Sequence, residues 1–390
     1  MKQYVLAIDQ STQGTKAILF DKQGNLVERF DAAHKQMINN LGWVSHDLNE
    51  IYANVIKVAR RVLENADVLP EEVACIGITN QRETSCAFDK AGNPLAHAIV
   101  WQCARARDIT ADITEEQLVK DRTGLNLSPY FPAAKYAWFL RNEESVKRAY
   151  QKGELHLSTI DTYLLYRLTE GRVYATDYSN ASRTQLFNIH TLQWDEEICN
   201  LFGIDVNILP EVKDSGYEYG MTTFEGLFPE EVPVCSLVGD SQGALFGQRC
   251  INPGMVKATY GTGSSVMMNV GTEWNDSDES LVTSLAWGRN NEVTYCLEGN
   301  INYSGAVITW LKNDRQLIES AKETSALAES ANPQDETYLV PAFSGLGAPY
   351  WRNEPNAMLV GMSRTTTKNA VVKAALDSIA YQIHDILSLM

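Results

Sequence analysis

The sequence predicts an α/β fold of two domains, and three observations carry that prediction. The chain has 390 residues, 44% of them hydrophobic. A single core stops growing near roughly 250–300 residues, so this length calls for two. The chain opens on strand, turn, strand, turn, strand and then alternates helix with strand. The same strand, small-residue turn, strand pattern returns about 250 residues later, which points to two related domains facing each other across a cleft.

Residues 4–8 are apolar and form the first strand, ending in Asp9 and Gln10. A polar turn through Ser11, Thr12, Gln13 and Gly14 leads to a second strand at 17–20. Residues 21–25 form a hairpin turn, with Gly24 where a positive φ is needed, and residues 26–30 make the third strand. Residues 49–66 place Ile51, Val55, Val58, Ala59 and Val62 at helical spacing. Residues 75–79 are a short buried strand. Residues 254–260 and 266–270 are strands flanking the turn Gly261-Thr262-Gly263. Residues 276–279 form an acidic, solvated loop. Residues 370–390 read as one amphipathic helix presenting Val371, Ala374, Ala375, Ile379, Ile383 and Ile386, with no capping glycine or polar tail after it.

Composition excludes several classes of function. A net charge of −16 lacks the basic face of a nucleic-acid binder, so no nucleic-acid partner is expected. No apolar stretch reaches the ~20 residues of a membrane span, and the N-terminus is too short and polar for a signal peptide. Seven scattered cysteines with no CxxC pair predict neither a zinc knuckle nor a disulfide framework, and they fit a reducing cytoplasm. The six histidines are isolated, so a His-built metal site is not expected.

Several stretches could carry chemistry. The turn from Ser11 to Lys16 offers backbone N–H groups, hydroxyls and a cation to phosphate oxygens, and Asp9 at the strand end could hold magnesium; a plain hairpin with a solvated lysine has the same spacing. Gly261-Thr262-Gly263 offers a second close backbone approach with a hydroxyl. Adjacent Arg82 and Glu83 after a buried strand suit neighbouring hydroxyls of a polyol, and equally suit a surface ion pair. Trp101 and Tyr130 are either core or the wall of a small-molecule pocket. Asp240, at a strand-to-helix junction, is either an N-cap or a carboxylate placed to take a proton from a substrate hydroxyl.

These stretches together resemble the FGGY family of carbohydrate kinases, and within it the members that phosphorylate glycerol. The resemblance runs over essentially the whole chain: residues 42–47, 76–84, 98–103, 176–184, 186–192, 244–248, 260–263 and 341–351 carry it, and 130–139 is similar to the family's first signature. It implies two actin-like, ribonuclease H-like domains around a cleft. Residues 1–248 would bind polyol and phosphates; residues 249–390 would be a nucleotide-binding domain that is incomplete. It implies ATP-dependent phosphorylation of a hydroxyl of a small polyol or sugar, glycerol first, with Mg2+. The alternatives are a longer polyol or ketopentose as substrate, or a non-catalytic ligand-binding protein. By motif, Asp240 is the base. Arg82, Glu83, Trp101, Tyr130, Asp240 and Ser241 line the polyol pocket, and Asp9 holds magnesium. Thr12, Gln13, Gly14 and Lys16 grip the phosphates from one domain; Thr262, Gly305 and Thr309 contact the nucleotide from the other. A cytoplasmic homo-oligomer, a dimer, is expected.

Four positions depart from the family pattern. Lys16 stands where an arginine is usual, and the two are not equivalent at a phosphate. Ser241 and Thr309 each stand where a glutamine is usual, and Ala370 where the second signature has a polar residue. Family members also continue into a glycine-rich segment that contacts adenine, so the resemblance implies a chain cut before its second domain is complete. Weak ATP binding and uncovered strand edges are the expected consequences.

Overall fold

A computed structural model describes residues 2–273, 280–343, 345–352 and 355–390. The acidic stretch 276–279 lies outside the described residues. The chain divides into two compact units, residues 1–244 with 284–295 and residues 245–283 with 296–390.

In the first unit, β1 (Tyr4–Gln10), β2 (Gly14–Asp21) and β3 (Leu26–Ala33) form an antiparallel meander. The turn after β2 closes through the Asp21 amide on the Asn25 carbonyl at 3.0 Å, with Gly24 at φ 82°. Helix α1 (Leu48–Ala66) starts at Asp47, whose carboxylate accepts the Asn49 amide at 2.9 Å, and ends where Asp67 turns left-handed. β4 (Val73–Asn80) runs parallel to β1. Further along come α2 (Pro132–Asn142) and β5 (Val232–Gly239), which is parallel to β4 and passes directly into α3 (Asp240–Gly247). The six-stranded sheet is ordered Gly220–Thr222, β5, β4, β1, β2, β3. Alternation along the strands buries Leu6, Ile8, Leu19, Ile76, Ile78 and Leu237, and the apolar stripe of α1 (Ile51, Val55, Val58, Val62) joins them in one core.

The register of this sheet positions the site. Asp9 pairs with Thr79, Gln10 with Asn80, and Gly239 with Asn80. The carboxyl ends of three parallel strands therefore lie side by side, where ligands bind in open α/β sheets. A second, five-stranded sheet, ordered Met37–Ile38, Val44–His46, Ala98–Ile99, Ser85–Asp89, Leu155–Thr159, packs Val44, Ala87 and Ile99 with Ala133, Tyr136 and Phe139 of α2.

The second unit begins with β6 (Val256–Tyr260) and β7 (Ser264–Gly271); β8 (Val282–Arg289) and β9 (Glu292–Ile301) include residues 284–295 of the first unit, and the four strands are ordered β6, β7, β9, β8. The short α4 (Gly305–Thr309) follows, and α5 (Lys368–Leu387) starts at Thr367, whose hydroxyl accepts the Ala370 amide at 3.4 Å. The packed face of α5 carries the six expected residues and is wider than they are. Val372 and Ser378 are buried, whereas Val371 and Ile379 are half-buried. The reason is that the helix serves two clusters. Val372, Ala374 and Ala375 pack with Val307, Leu311 and Leu339, while Ile383 and Ile386 pack with Val266, Leu297 and Ile301. Among the described residues no helix is long and apolar enough to cross a membrane, and all seven cysteines are free thiols.

Candidate active site

The β1–β2 turn is drawn tight by the amide and hydroxyl of Ser11, both donating to the Gly14 carbonyl at 2.9 Å. Asp9 and Lys16 face each other across the ladder, and the ammonium bonds Asp9 Oδ2 at 2.6 Å. Both side chains are about a quarter exposed, so the pair can open toward a ligand. Gly14 has a structural reason of its own: a Cβ there would sit 2.7 Å from the Ala32 carbonyl oxygen on β3. Gln13 is exposed, and its carbonyl accepts the His34 amide at 3.3 Å.

Arg82 and Glu83 are not a surface ion pair: their side chains are only 7% and 2% accessible. They sit just past β4. Arg82 reaches toward the end of β5, its Nε 3.3 Å from Asp240 Oδ1 and its Nη1 3.3 Å from Gln242 Oε1. Gly239 makes the room, since a Cβ there would lie 2.8 Å from Arg82 Cγ. Glu83 takes a left-handed φ of 60° and turns its carboxylate onto Arg183, Nε to Oε1 2.6 Å, while Arg82 Nε stays 3.9 Å away. Arg183 is itself 1% exposed. Breaking such a pair from one side costs about 3–5 kcal/mol.

Asp240 opens α3 and its Oδ1 accepts the Ser241 amide at 2.6 Å. Its side chain is 43% accessible, so it faces open space on the side away from Arg82. Desolvation pushes its pKa above the ordinary carboxylate range; Arg82 opposes the rise, and Glu83 and Asp9 add to it. Beneath it lies a satisfied polar network. Gly239 N–H donates to Ser179 Oγ at 2.8 Å, and Asp177 accepts from Ser179, Asn180 and Ser215. Asn180 and Asn80 pair through both amides.

Trp101 and Tyr130 form one wall, ring centres 5.6 Å apart at 58°. The indole N–H of Trp101 donates to Thr12 Oγ1 at 3.0 Å and its amide to Thr84 Oγ1 at 3.2 Å, so this wall is tied to the β1–β2 turn. In the second unit, the turn 261–263 and the start of α4 interlock. The Ser304 and Ala306 amides donate to the Thr262 carbonyl at 3.0 Å, and the Gly305 amide to the Gly261 carbonyl at 2.9 Å. A Cβ on Gly305 would lie 2.5 Å from the Gly261 oxygen. Thr262 and Thr309 line a cavity of about 370 Å³ with Tyr303, Ala306, Trp310, Asp314 and Phe343. The Phe343 ring lies 5.0 Å from Tyr303 and 5.1 Å from Trp310, an aromatic lining of the kind that stacks on a planar base.

Residues 4–247 match the N-terminal domain of the FGGY family of carbohydrate kinases, and residues 256–390 match its C-terminal domain. The chain belongs to the FGGY family of carbohydrate kinases. This FGGY kinase is 46% identical over 391 residues to glycerol kinase 1 of Thermotoga maritima, covering 99% of itself and 79% of the relative. It is 45% identical to the glycerol kinase of Xanthomonas axonopodis pv. citri, covering 100% and 79%. Its structure superposes on that of Plasmodium falciparum glycerol kinase with ADP at a TM-score of 0.93 and 34% identity, covering 99% and 78%. A xylulose kinase from Lactobacillus acidophilus, at TM-score 0.87 and 20% identity, shares the fold. The mixed α/β, two-domain architecture is thus the actin-like, ribonuclease H-like one.

Within the first unit of this FGGY kinase, one set of strand ends gathers Asp9, Lys16, Arg82, Glu83 and Asp240, and Trp101 is linked to them through Thr12. Thr262, Gly305 and Thr309 gather in the second unit. Sequence reading missed Arg183 and Gln242 as the partners of Glu83 and Arg82. Arg183 lies within a recognised stretch, residues 176–184, but its partner Glu83 is a hundred positions away.

Proposed function

We propose that this chain transfers the γ-phosphoryl group of MgATP to a terminal hydroxyl of glycerol. The observation that carries the reading is the convergence of Asp240, Arg82 and Glu83 at the carboxyl ends of β4 and β5, one strand from the Asp9–Lys16 pair. Relatives named glycerol kinase at 43–46% identity select glycerol among polyols.

Phosphoryl transfer needs positioning and charge neutralisation more than covalent help from the protein. Arg82 and Glu83, fixed by Gln242 and Arg183, would hold two neighbouring hydroxyls and leave the third beside Asp240. Asp240 accepts that proton as the oxygen attacks the γ-phosphorus, and ADP departs. A carboxylate with a raised pKa takes a proton more readily than an ordinary one. Trp101 and Tyr130 would cover the carbon face, and Ser241 leaves space beside Asp240. Magnesium enters with the nucleotide as substrate. Among the described residues no group of three or more His, Cys, Asp or Glu side chains is arranged to hold a metal ion by itself. A lone Asp9 carboxylate suits an ion that keeps its waters and phosphate oxygens. Thr12, Gln13, Gly14 and Lys16 are assigned to the phosphates, and Thr262, Gly305 and Thr309 to the nucleotide. Residues 1–248 and 249–390 are accordingly assigned as polyol-and-phosphate and nucleotide domains. A cytoplasmic setting fits the seven free thiols, and a homodimer is the state to be read by sedimentation.

The test is ADP release with MgATP against glycerol, erythritol, xylitol, ribulose and xylulose. Release with glycerol is expected; release only with a pentose would replace glycerol as substrate, and silence with all five would leave a binding role. Asp240→Asn should abolish turnover while calorimetric glycerol affinity stays within about tenfold of wild type. Retained turnover would remove Asp240 from the base role.

A further inference from the structure

One buried charge has no part in the mechanism above. Lys135 lies in the first turn of α2 with no solvent exposure, between Ala134 and Tyr136, which are buried too. Its Nζ donates to the Trp101 carbonyl at 3.2 Å and to the Tyr130 carbonyl, and stands 5.8 Å from the centre of the Tyr130 ring. An ammonium is costly to remove from water, and desolvation pulls Lys135 down to about 7; Glu83 and Cys103 oppose this and Arg105 adds to it. A methionine fills nearly the same space without that cost, so packing alone gives no reason for a charge here.

The two carbonyls it joins belong to the two aromatic residues of the pocket wall. They sit on separate segments: Trp101 follows the strand Ala98–Ile99, and Tyr130 ends the loop before α2. Trp101 is fixed on its other side by Thr84 and Thr12. Lys135 bonds both carbonyls and so refers the backbone of Tyr130 to that of Trp101. A shift of one carbonyl by an ångström would carry its ring with it and change the gap between the rings.

We propose that Lys135 is a specificity-determining positioning residue, which clamps the Trp101 and Tyr130 carbonyls and so sets how long a polyol the pocket accepts. The proposal rests on the reading of Trp101 and Tyr130 as the polyol wall. Its readout is the ratio of kcat/KM for glycerol to kcat/KM for erythritol, measured on one sample. That ratio does not depend on how much of the sample is folded. Lys135→Met should lower it at least about tenfold, and Lys135→Gln, which keeps a donor, should lower it less; KM for MgATP should stay within about twofold in both. Where turnover of either polyol is too slow, the same ratio is read from calorimetric affinities. An unchanged ratio in both variants overturns the proposal, as does a fall accompanied by an equal change in KM for MgATP. Trp101→Ala and Tyr130→Ala separate the two readings. If they move the ratio and the Lys135 variants do not, only the clamp falls. If none of the four moves it, the wall falls, and the clamp with it.

Discussion

At the scale of single residues, the electrostatics of Asp240 make a signed prediction. Desolvation raises its pKa and Arg82, 3.3 Å away, lowers it. Removing the guanidinium takes away the larger of the two opposing causes and leaves the Ser241 amide against desolvation, Glu83 and Asp9, so the carboxylate becomes harder to ionise. Arg82→Met should therefore move the acid limb of the kcat–pH profile to higher pH, measured with both substrates saturating. A limb that stays in place would mean that Asp240 does not titrate in the rate-determining complex. The residue types at this site were legible in the sequence because strand ends and small-residue turns announce themselves locally. Their partners were not. Glu83 has a left-handed backbone and bonds an arginine a hundred positions on, and neither fact has a local signature. Gly14 has a second reason with no local signature in the sequence: its missing side chain is required by the approach of Ala32.

At the scale of elements, the turn 261–263 and α4 behave as one piece. Gly305 and Gly263 both sit where a Cβ would overlap a backbone oxygen at 2.5 Å. Gly305→Ala must push the turn away from the helix and move Thr262. We expect KM for MgATP to rise about tenfold with KM for glycerol within twofold, which corresponds to about 1.4 kcal/mol of nucleotide binding. Unchanged KM for MgATP in initial-rate kinetics would take this turn out of nucleotide binding. Periodicity made β1 to β3, α1 and α5 readable, since one period fits one buried face. It read the face of α5 too narrowly, leaving out Val372 and Ser378, because that helix packs against two clusters in succession and a single stripe does not describe both.

At the scale of the whole molecule, the first unit is completed by residues 284–295, well beyond its main run. The Leu285 amide donates to Ser182 Oγ at 3.1 Å, and the Gly288 amide to Ser215 Oγ at 3.2 Å. The Ser215 amide returns to the Gly288 carbonyl at 2.9 Å, and the Tyr295 hydroxyl reaches the Ile189 carbonyl at 2.8 Å. A fragment ending at residue 248 loses all four bonds and opens buried polar groups, each worth about 1–3 kcal/mol. Its melting transition should lie at least about 5 °C below the first transition of the whole chain by calorimetry. Equal transitions would show that residues 284–295 add nothing to that unit. The same arrangement has a consequence for biosynthesis. When Ala244 leaves the ribosome, the strand end carrying Asp240 already exists, but the last piece of its own unit has not been made. At about 5–20 residues per second, the stretch up to Tyr295 takes roughly 3–10 s to arrive. Throughout that interval Ser182 and Ser215 wait without those partners, and the nascent kinase presents an unfinished surface on which a chaperone could act.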